Sequence, residues 1–268
     1  PGGTAARLAL DAIGVRGGPL AAPIDVHLEA TPDGHAQTLV IATVATANGP
    51  LVELTGTAST SLDRLLAGGP ALAATPIRGT VTIPSARAAD LLAILGRQDV
   101  VTGTLDGTAT LDGTIGAPTG RAAVTAHDVR IAAPVAGQRG PTLVELAITA
   151  RWDGHAGALE ARGRESDGGT LHVTASGRPD ALATAAAQVE VAGFEIAPLA
   201  LFLPDAMVGT SGHLDATLAI RGLDPATSDV RGRLHLVDGR IPMSPTLGTL
   251  RQATADVTIA DRRLDLRL

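Results

Sequence analysis

Apolar and polar side chains alternate at period two along most of this chain, the pattern of strands with one dry face and one wet face. The clearest runs set Val144, Leu146 and Ile148 against Glu145, Thr149 and Arg151, and Leu171, Val173 and Ala175 against His172, Thr174 and Ser176. In a third, Leu214, Ala216, Leu218 and Ile220 oppose His213, Asp215 and Thr217. Two more close the chain, with Ala253, Ala255, Val257 and Ile259 against Gln252, Thr254, Asp256 and Thr258, then Leu264, Leu266 and Leu268 against Arg263, Asp265 and Arg267. Between runs lie turn-forming pairs that predict tight connections: Asp33-Gly34, Asn48-Gly49-Pro50, Asp112-Gly113, Asp153-Gly154, Asp167-Gly168-Gly169 and Asp238-Gly239.

Three stretches depart from the alternation. Residues 85–95 carry a helix signature, with Ser85 as N-cap, Leu91, Leu92 and Leu95 on one side and Gly96 past the end. Residues 196–203 form a second interruption, and residues 61–67 a further helical turn. An internal repeat appears when residues 103–113 are laid over 212–222: Gly, Leu, Asp, Thr and the closing Gly coincide. The register continues, a loop around Pro118 answering one around Pro225 and the run from His127 to Ile131 answering that from Val237 to Ile241. The expected organisation is a β segment over 1–84, a repeat unit opening with a short helix over 85–195, and a second, truncated unit over 196–268.

Composition then narrows the chemistry. The chain has 268 residues, 45% of them hydrophobic, and a mean hydropathy of +0.24, which is a folding composition and not a disordered one. Its apolar residues are almost all aliphatic: Trp152, Phe194 and Phe202 are the only aromatics. Sugars and single-stranded nucleic acids, which are held by stacking, find almost no platform. A net charge of −6 lacks the basic footprint that a phosphate backbone requires, so nucleic acid is not an expected partner. Every basic residue is Arg, with no Lys, a bias that suggests GC-rich coding and no mechanism. Zero Cys excludes disulfides, thiolate metal sites and thiol catalysis. No apolar stretch approaches the ~20 residues of a membrane-spanning helix. The start at Pro1 and the end within an alternating run predict an internal section of a longer protein.

Candidate chemistry is sparse. The seven histidines, His27, His35, His127, His155, His172, His213 and His235, lack metal-ligand spacing and read as solvated strand or turn residues. Asp106-Gly107 and Asp112-Gly113 resemble one calcium β-roll step, but the nonapeptide does not continue, so turn chemistry is favoured. Glu165, Ser166 and Asp167 are adjacent and precede Gly168-Gly169, and adjacent residues rarely form a triad, so the group reads as a polar turn. No nucleophile elbow, phosphate loop or dinucleotide fingerprint is present, and no enzyme activity or cofactor is expected. The aliphatic rows on their own fit an ordinary sandwich or solenoid core.

A family resemblance shifts that balance. Gly113-Thr-Ile-Gly-Ala-Pro118, Gly120 leading into Val124-Thr-Ala-His-Asp128, Gly140-Pro-Thr-Leu-Val-Glu-Leu-Ala-Ile148 and Asp167-Gly-Gly-Thr-Leu-His-Val-Thr-Ala-Ser-Gly177 follow one another in an order that resembles the TamB family of the AsmA-like group. Gly232-Arg-Leu-His-Leu-Val-Asp-Gly-Arg-Ile241, Leu247-Gly248 and residues 256–268 resemble another unit of the same kind. The resemblance spans residues 80–268.

It implies an all-β fold: an elongated, curled antiparallel sheet of tandem units with short helical interruptions, open as an apolar groove. It also implies a periplasmic location in a protein anchored in the inner membrane by parts outside this section. The implied function is passage of phospholipid acyl chains towards the outer membrane, with an outer-membrane β-barrel assembly protein as a further partner. At ~4.8 Å per strand, some fifteen strands would extend such a groove by about 70 Å. The implied lining is Val144, Leu146, Ile148, Leu171, Val173, Leu214, Leu218, Ile220, Leu234, Leu236, Val257 and Ile259, a wall without buried charge along which lipids slide. Two other expectations stand beside it, a scaffold for outer-membrane or autotransporter protein assembly through strand edges, and a secreted structural repeat or adhesin stalk with a closed core.

Overall fold

A computed structural model of the protein describes residues 7–17, 20–32, 37–61, 69–94, 101–131, 142–196, 211–222, 228–244, 248–260 and 263–267. It is all-β. Fifteen strands form one antiparallel sheet whose spatial order follows the chain from β1 to β15, leaving those two strands as the edges. In chain order they are β1 Leu8–Gly17, β2 Leu20–Pro32, β3 Thr38–Thr46, β4 Gly49–Ala58, β5 Ile77–Arg87, β6 Val101–Thr114, β7 Ala117–Ile131 and β8 Thr142–Trp152. They continue with β9 Gly157–Glu165, β10 Thr170–Gly177, β11 Ala186–Glu195, β12 Ser211–Arg221, β13 Asp229–Ser244, β14 Gly248–Ala260 and β15 Arg263–Arg267. The described helices are short: α1 Pro70–Ala73, α2 Ala88–Ala93 and a single 3₁₀ turn, Leu182–Thr184.

The five clearest alternating runs fall on β8, β10, β12, β14 and β15 as expected. The helix near residue 85 starts later than its signature predicts. Ser85 lies inside β5, and α2 is entered through Arg87 with no side-chain cap. Ala86 instead pairs with Leu105 of β6 across a register shift, so sheet pairing wins over a local capping preference at this position. Of the other two interruptions, residues 62–67 and 197–203 lie outside the described residues, as does Asp33-Gly34.

Two of the predicted turns are not turns. Asp112-Gly113 lies within β6, which runs to Thr114, the connection being made by Ile115 and Gly116. Asp238-Gly239 sits within β13, where the pairing to β14 shifts between Leu236 and Gly239, a bulge with Asp238 at φ 53°. Likewise Pro118 lies within β7 and not in a loop. Asp and Gly tolerate the left-handed conformation that both hairpin turns and bulges use, so the dipeptide alone does not separate them. The repeated stretches fall on β6 and β12, and matching positions share backbone conformation: Gly103 and Gly212 have φ 117° and 131°, and Asp128 and Asp238 have φ 50° and 53°.

The strain at Asp238 is testable. Asp238→Gly is expected to keep or raise thermal stability, whereas Asp238→Val should lose about 1–2 kcal/mol, because a Cβ branch is disfavoured in the left-handed region. Equal stability of the two variants by denaturant unfolding would mean that the bulge is not held in that conformation.

The chain divides into two compact units, one of residues 1–126 and 149–155, the other of residues 127–148 and 156–268. In the first, cross-strand registers gather apolar and small residues on one face, as in the row Leu10, Leu28, Ala42, Leu54, Val81, Ala109 from β1 to β6. Asp11, His27, Thr43, Glu53, Thr82 and Thr108 form the corresponding row on the other face. The second unit repeats this partition from β9 to β15.

Candidate functional site

In the second unit, register places Ala161, Val173, Val189, Leu218, Gly232, Ile259 and Leu264 in one row across seven strands. A parallel row runs Gly163, Leu171, Val191, Ala216, Leu234, Val257, Leu266. A third holds Leu159, Ala175, Ala187, Ile220 and Val230. Because strand parity is maintained through these hairpins, period-two alternation in each strand becomes one apolar face. Gly232 serves the close approach of β12 and β13, since a Cβ there would lie 2.0 Å from the Thr217 carbonyl oxygen.

Leu171, Val173, Leu214, Leu218, Ile220, Leu234, Leu236, Val257 and Ile259 therefore share a face. Leu146 joins them, for a Cβ on Gly163 would be 3.6 Å from side-chain atoms of Leu143 and Leu146 and from the Cβ of Leu171. Val144 and Ile148 are half-buried on β8. Sequence reading passed over Leu143, which is buried although it belongs to the opposite parity of β8.

Burial along this face is uneven. Phe194, Ile196, Leu214, Ala216, Leu236, Ala253 and Ala255 are buried, and Phe194 is only 1% exposed. Elsewhere on the face Val173, Val189, Leu218, Ile220, Leu234, Val257 and Ile259 are half-buried, while Leu264 and Leu266 on β15 are 63% and 53% exposed. Val191 and Ala187 of β11 are buried as well, so cover is fullest around Phe194, Leu214 and Leu236 and partial along the row of Val173, Val189, Leu218 and Ile259.

The apolar wall also contains a charge-bearing group, contrary to expectation. Glu165 has the parity of Leu159, Ala161 and Gly163 on β9, and it is 2% exposed. Its Oε2 accepts a hydrogen bond from the Glu195 backbone N–H at 2.8 Å, while Oε1 is buried with no partner among the described residues. The turn closes tightly around it: the Glu165 N–H donates to the Gly169 carbonyl at 2.8 Å, and a Cβ on Gly169 would lie 2.5 Å from Oε2. Burial pushes the Glu165 carboxyl up to about 7, with the nearby Asp167 and Glu195 carboxylates acting in the same direction and the Glu195 N–H and His213 opposing them. His213 comes near this turn from β12, its Nε2 lying 3.6 Å from Asp167 Oδ2. Among the described residues no group of three or more His, Asp or Glu side chains is arranged to hold a metal ion.

The polar face carries cross-strand histidine–carboxylate pairs that spacing along the chain does not reveal. His27 meets Asp11, His235 meets Asp256 at 2.7 Å, and His172 meets Glu160 at 2.9 Å with Glu190 3.8 Å away. The hydrogen bond from His172 holds the Glu160 carboxyl below its ordinary value, with Arg162 adding to the effect. Arg7 does the same for Glu29 through a 2.6 Å contact. Such exposed pairs organise the wet face and contribute little to stability. No described helix is long and apolar enough to cross a membrane. No protein-family model, curated protein or solved structure matches the chain.

Proposed function

We propose that this chain is a section of a TamB-like protein of the periplasm whose apolar sheet face carries phospholipid acyl chains between the inner and outer membranes. The observation that carries the reading is the half-buried state of the aliphatic rows. Val173, Val189, Leu218 and Ile259 lie in one row across the sheet, yet none is buried. In a sandwich, the side chains at the centre of the inner face are covered by the second sheet.

The energetics suit a hydrocarbon cargo. Burying a methylene is worth ~0.8 kcal/mol, so a lipid tail leaving a membrane needs nearly continuous apolar contact. Rows of Val, Leu, Ile and Ala that repeat from strand to strand offer that contact with few polar anchors, which favours sliding over docking at one point. The tandem-unit, curled-groove form of the fold belongs to this proposal, and the matched φ values of the repeated stretches support it. So does the ordered set of motifs from Gly113 to Ile241. In this reading the chain performs no catalysis, and its partners are phospholipid and an outer-membrane assembly protein.

Native mass spectrometry of the purified chain with lipid extraction tests it. Wild-type protein should co-purify with phospholipid, and Leu218→Asp and Ile148→Asp should lose the lipid while circular dichroism stays unchanged. Lipid-free wild-type protein, together with unfolding of both variants, would indicate a closed structural core and end the transport reading.

A further inference from the structure

Glu165 stands where β9 turns into β10, and the turn is held shut by few bonds. The Glu165 N–H donates to the Gly169 carbonyl at 2.8 Å and the Gly168 N–H to the Glu165 carbonyl at 3.2 Å, with Gly168 at φ 101°. Its contact with β11 is close. A Cβ on Gly169 would lie 2.6 Å from the Gly193 carbonyl oxygen and 2.9 Å from the Cα of Phe194, the most deeply buried ring on the apolar face. The strands beneath are jointed at the same place. Pairing of β11 to β12 shifts between Val191 and Phe194, with Gly193 at φ 55° and Gly212 at φ 131°. Carboxylates pin both glycines, the Gly193 N–H donating to Asp215 at 2.8 Å and the Gly212 N–H to Glu195 at 2.9 Å.

The charges around Glu165 do not balance. Asp167 faces it from its own turn, Glu195 from β11 and His213 from β12, so two carboxylates oppose one imidazole. Arg164, next to it on β9, is turned towards Glu145 of β8 at 3.7 Å, and Thr170 and Leu171, which open β10, carry no charge. An ionised Glu165 would have one N–H for its buried charge, and Oε1 has no donor among the described residues. We propose that the β9–β10 turn is a proton-operated flap, closed over Phe194 while Glu165 holds its proton and released from β11 when Glu165 ionises. Its consequence for cargo rests on the lipid reading above: the open flap bares Phe194, and the apolar face around it, to an acyl chain.

Opening gives the charge to water at the cost of one hydrogen bond to β11 and the cover of one ring, and such local openings are easier than global unfolding. The carboxyl titrates at about 7 when closed and at 4.5 in water. The closed state is therefore favoured in full below pH 4.5. The opening equilibrium rises ten-fold per pH unit between these values, about 300-fold in all, and is level above pH 7.

Amide hydrogen exchange of the whole chain from pH 5 to 8, corrected for the intrinsic pH dependence of exchange, tests this. Protection at Glu165, Gly168 and Glu195 should fall roughly 100-fold between pH 5 and 7 and then level off. Glu165→Gln should keep it constant. Amides of the β10–β11 ladder around Val173 and Val189 should remain better protected than the turn at every pH, which marks the opening as local. This comparison is made within the wild type and decides the matter even if the variant does not fold. Protection of the turn that ignores pH, an equal fall in Glu165→Gln, or turn amides that exchange only at the rate of the ladder would each overturn the proposal. No lipid enters the experiment. A pH-blind turn in a chain that co-purifies with phospholipid would end the flap alone, and a working flap in a lipid-free chain would leave the flap standing without the transport reading.

Discussion

Phe194→Ala is expected to destabilise the protein by about 3–5 kcal/mol, the range for removing a buried aromatic whose site cannot collapse. Phe194 is 1% exposed, faces Leu214 across the β11–β12 pair and follows the register shift after Val191. Its backbone is equally confined, since a Cβ on Gly169 would come within 2.9 Å of the Phe194 Cα. The neighbouring turn closes over the same place. Phe194→Leu, which keeps most of the apolar volume, should cost clearly less. Urea unfolding of both variants measures the difference. A loss below about 1 kcal/mol for Phe194→Ala would show that this end of the sheet is loosely packed.

The second large effect depends on pH. In the folded chain the Glu165 carboxyl holds its proton up to about 7, against an ordinary value of 4.5. The folded state therefore binds more protons than the unfolded one between these limits. The contribution of Glu165 to stability is present in full below pH 4.5, falls as pH rises, and is lost above pH 7. The total is at most about 3 kcal/mol. Glu165→Gln removes this titration while keeping the shape and an oxygen for the Glu195 N–H. The variant should match wild type near pH 4.5 and exceed it in stability above pH 7, with the gap opening between. Comparing the two proteins at each pH isolates this group from Glu29 and Glu160, whose lowered values act in the opposite sense. If Glu165→Gln were less stable than wild type at every pH, the ionised carboxylate would have a structural partner that its environment does not show.

The same residue marks a limit of sequence reading. Beside Ser166 and Asp167, Glu165 looks like part of a polar turn, and by chain neighbours it is one. Its strand parity, however, continues the row of Leu159, Ala161 and Gly163. The backbone N–H that meets its carboxylate belongs to Glu195 of β11, 30 positions away. His213 is likewise distant in sequence, so its approach to Asp167 could be found only after strand register was known. The pairs of His27 with Asp11 and His235 with Asp256 arose from the same cause. Each partner reads locally as a solvated strand residue, and register alone sets them face to face.

Local competition explains the remaining differences. Ser85 has the chemistry of an N-cap, but the β5–β6 ladder extends to Arg87 and delays α2. Asp238-Gly239 has the chemistry of a hairpin turn. It becomes a bulge because residues on both sides of it remain paired to β14. In both cases a short-range preference worth about 1 kcal/mol meets a run of cross-strand pairs that act together.

By itself the sequence determined that the fold is all-β, where its strongest strands run, and which residues of those strands share a face. It did so because side-chain direction in a strand alternates with every residue, whatever lies beyond it. Tertiary structure alone decided which parts of the shared apolar face are covered and which stay half-open, and that a carboxyl would be sealed into it. Those outcomes depend on the side chains that neighbouring strands bring alongside, and so on pairings between residues that are remote in the chain.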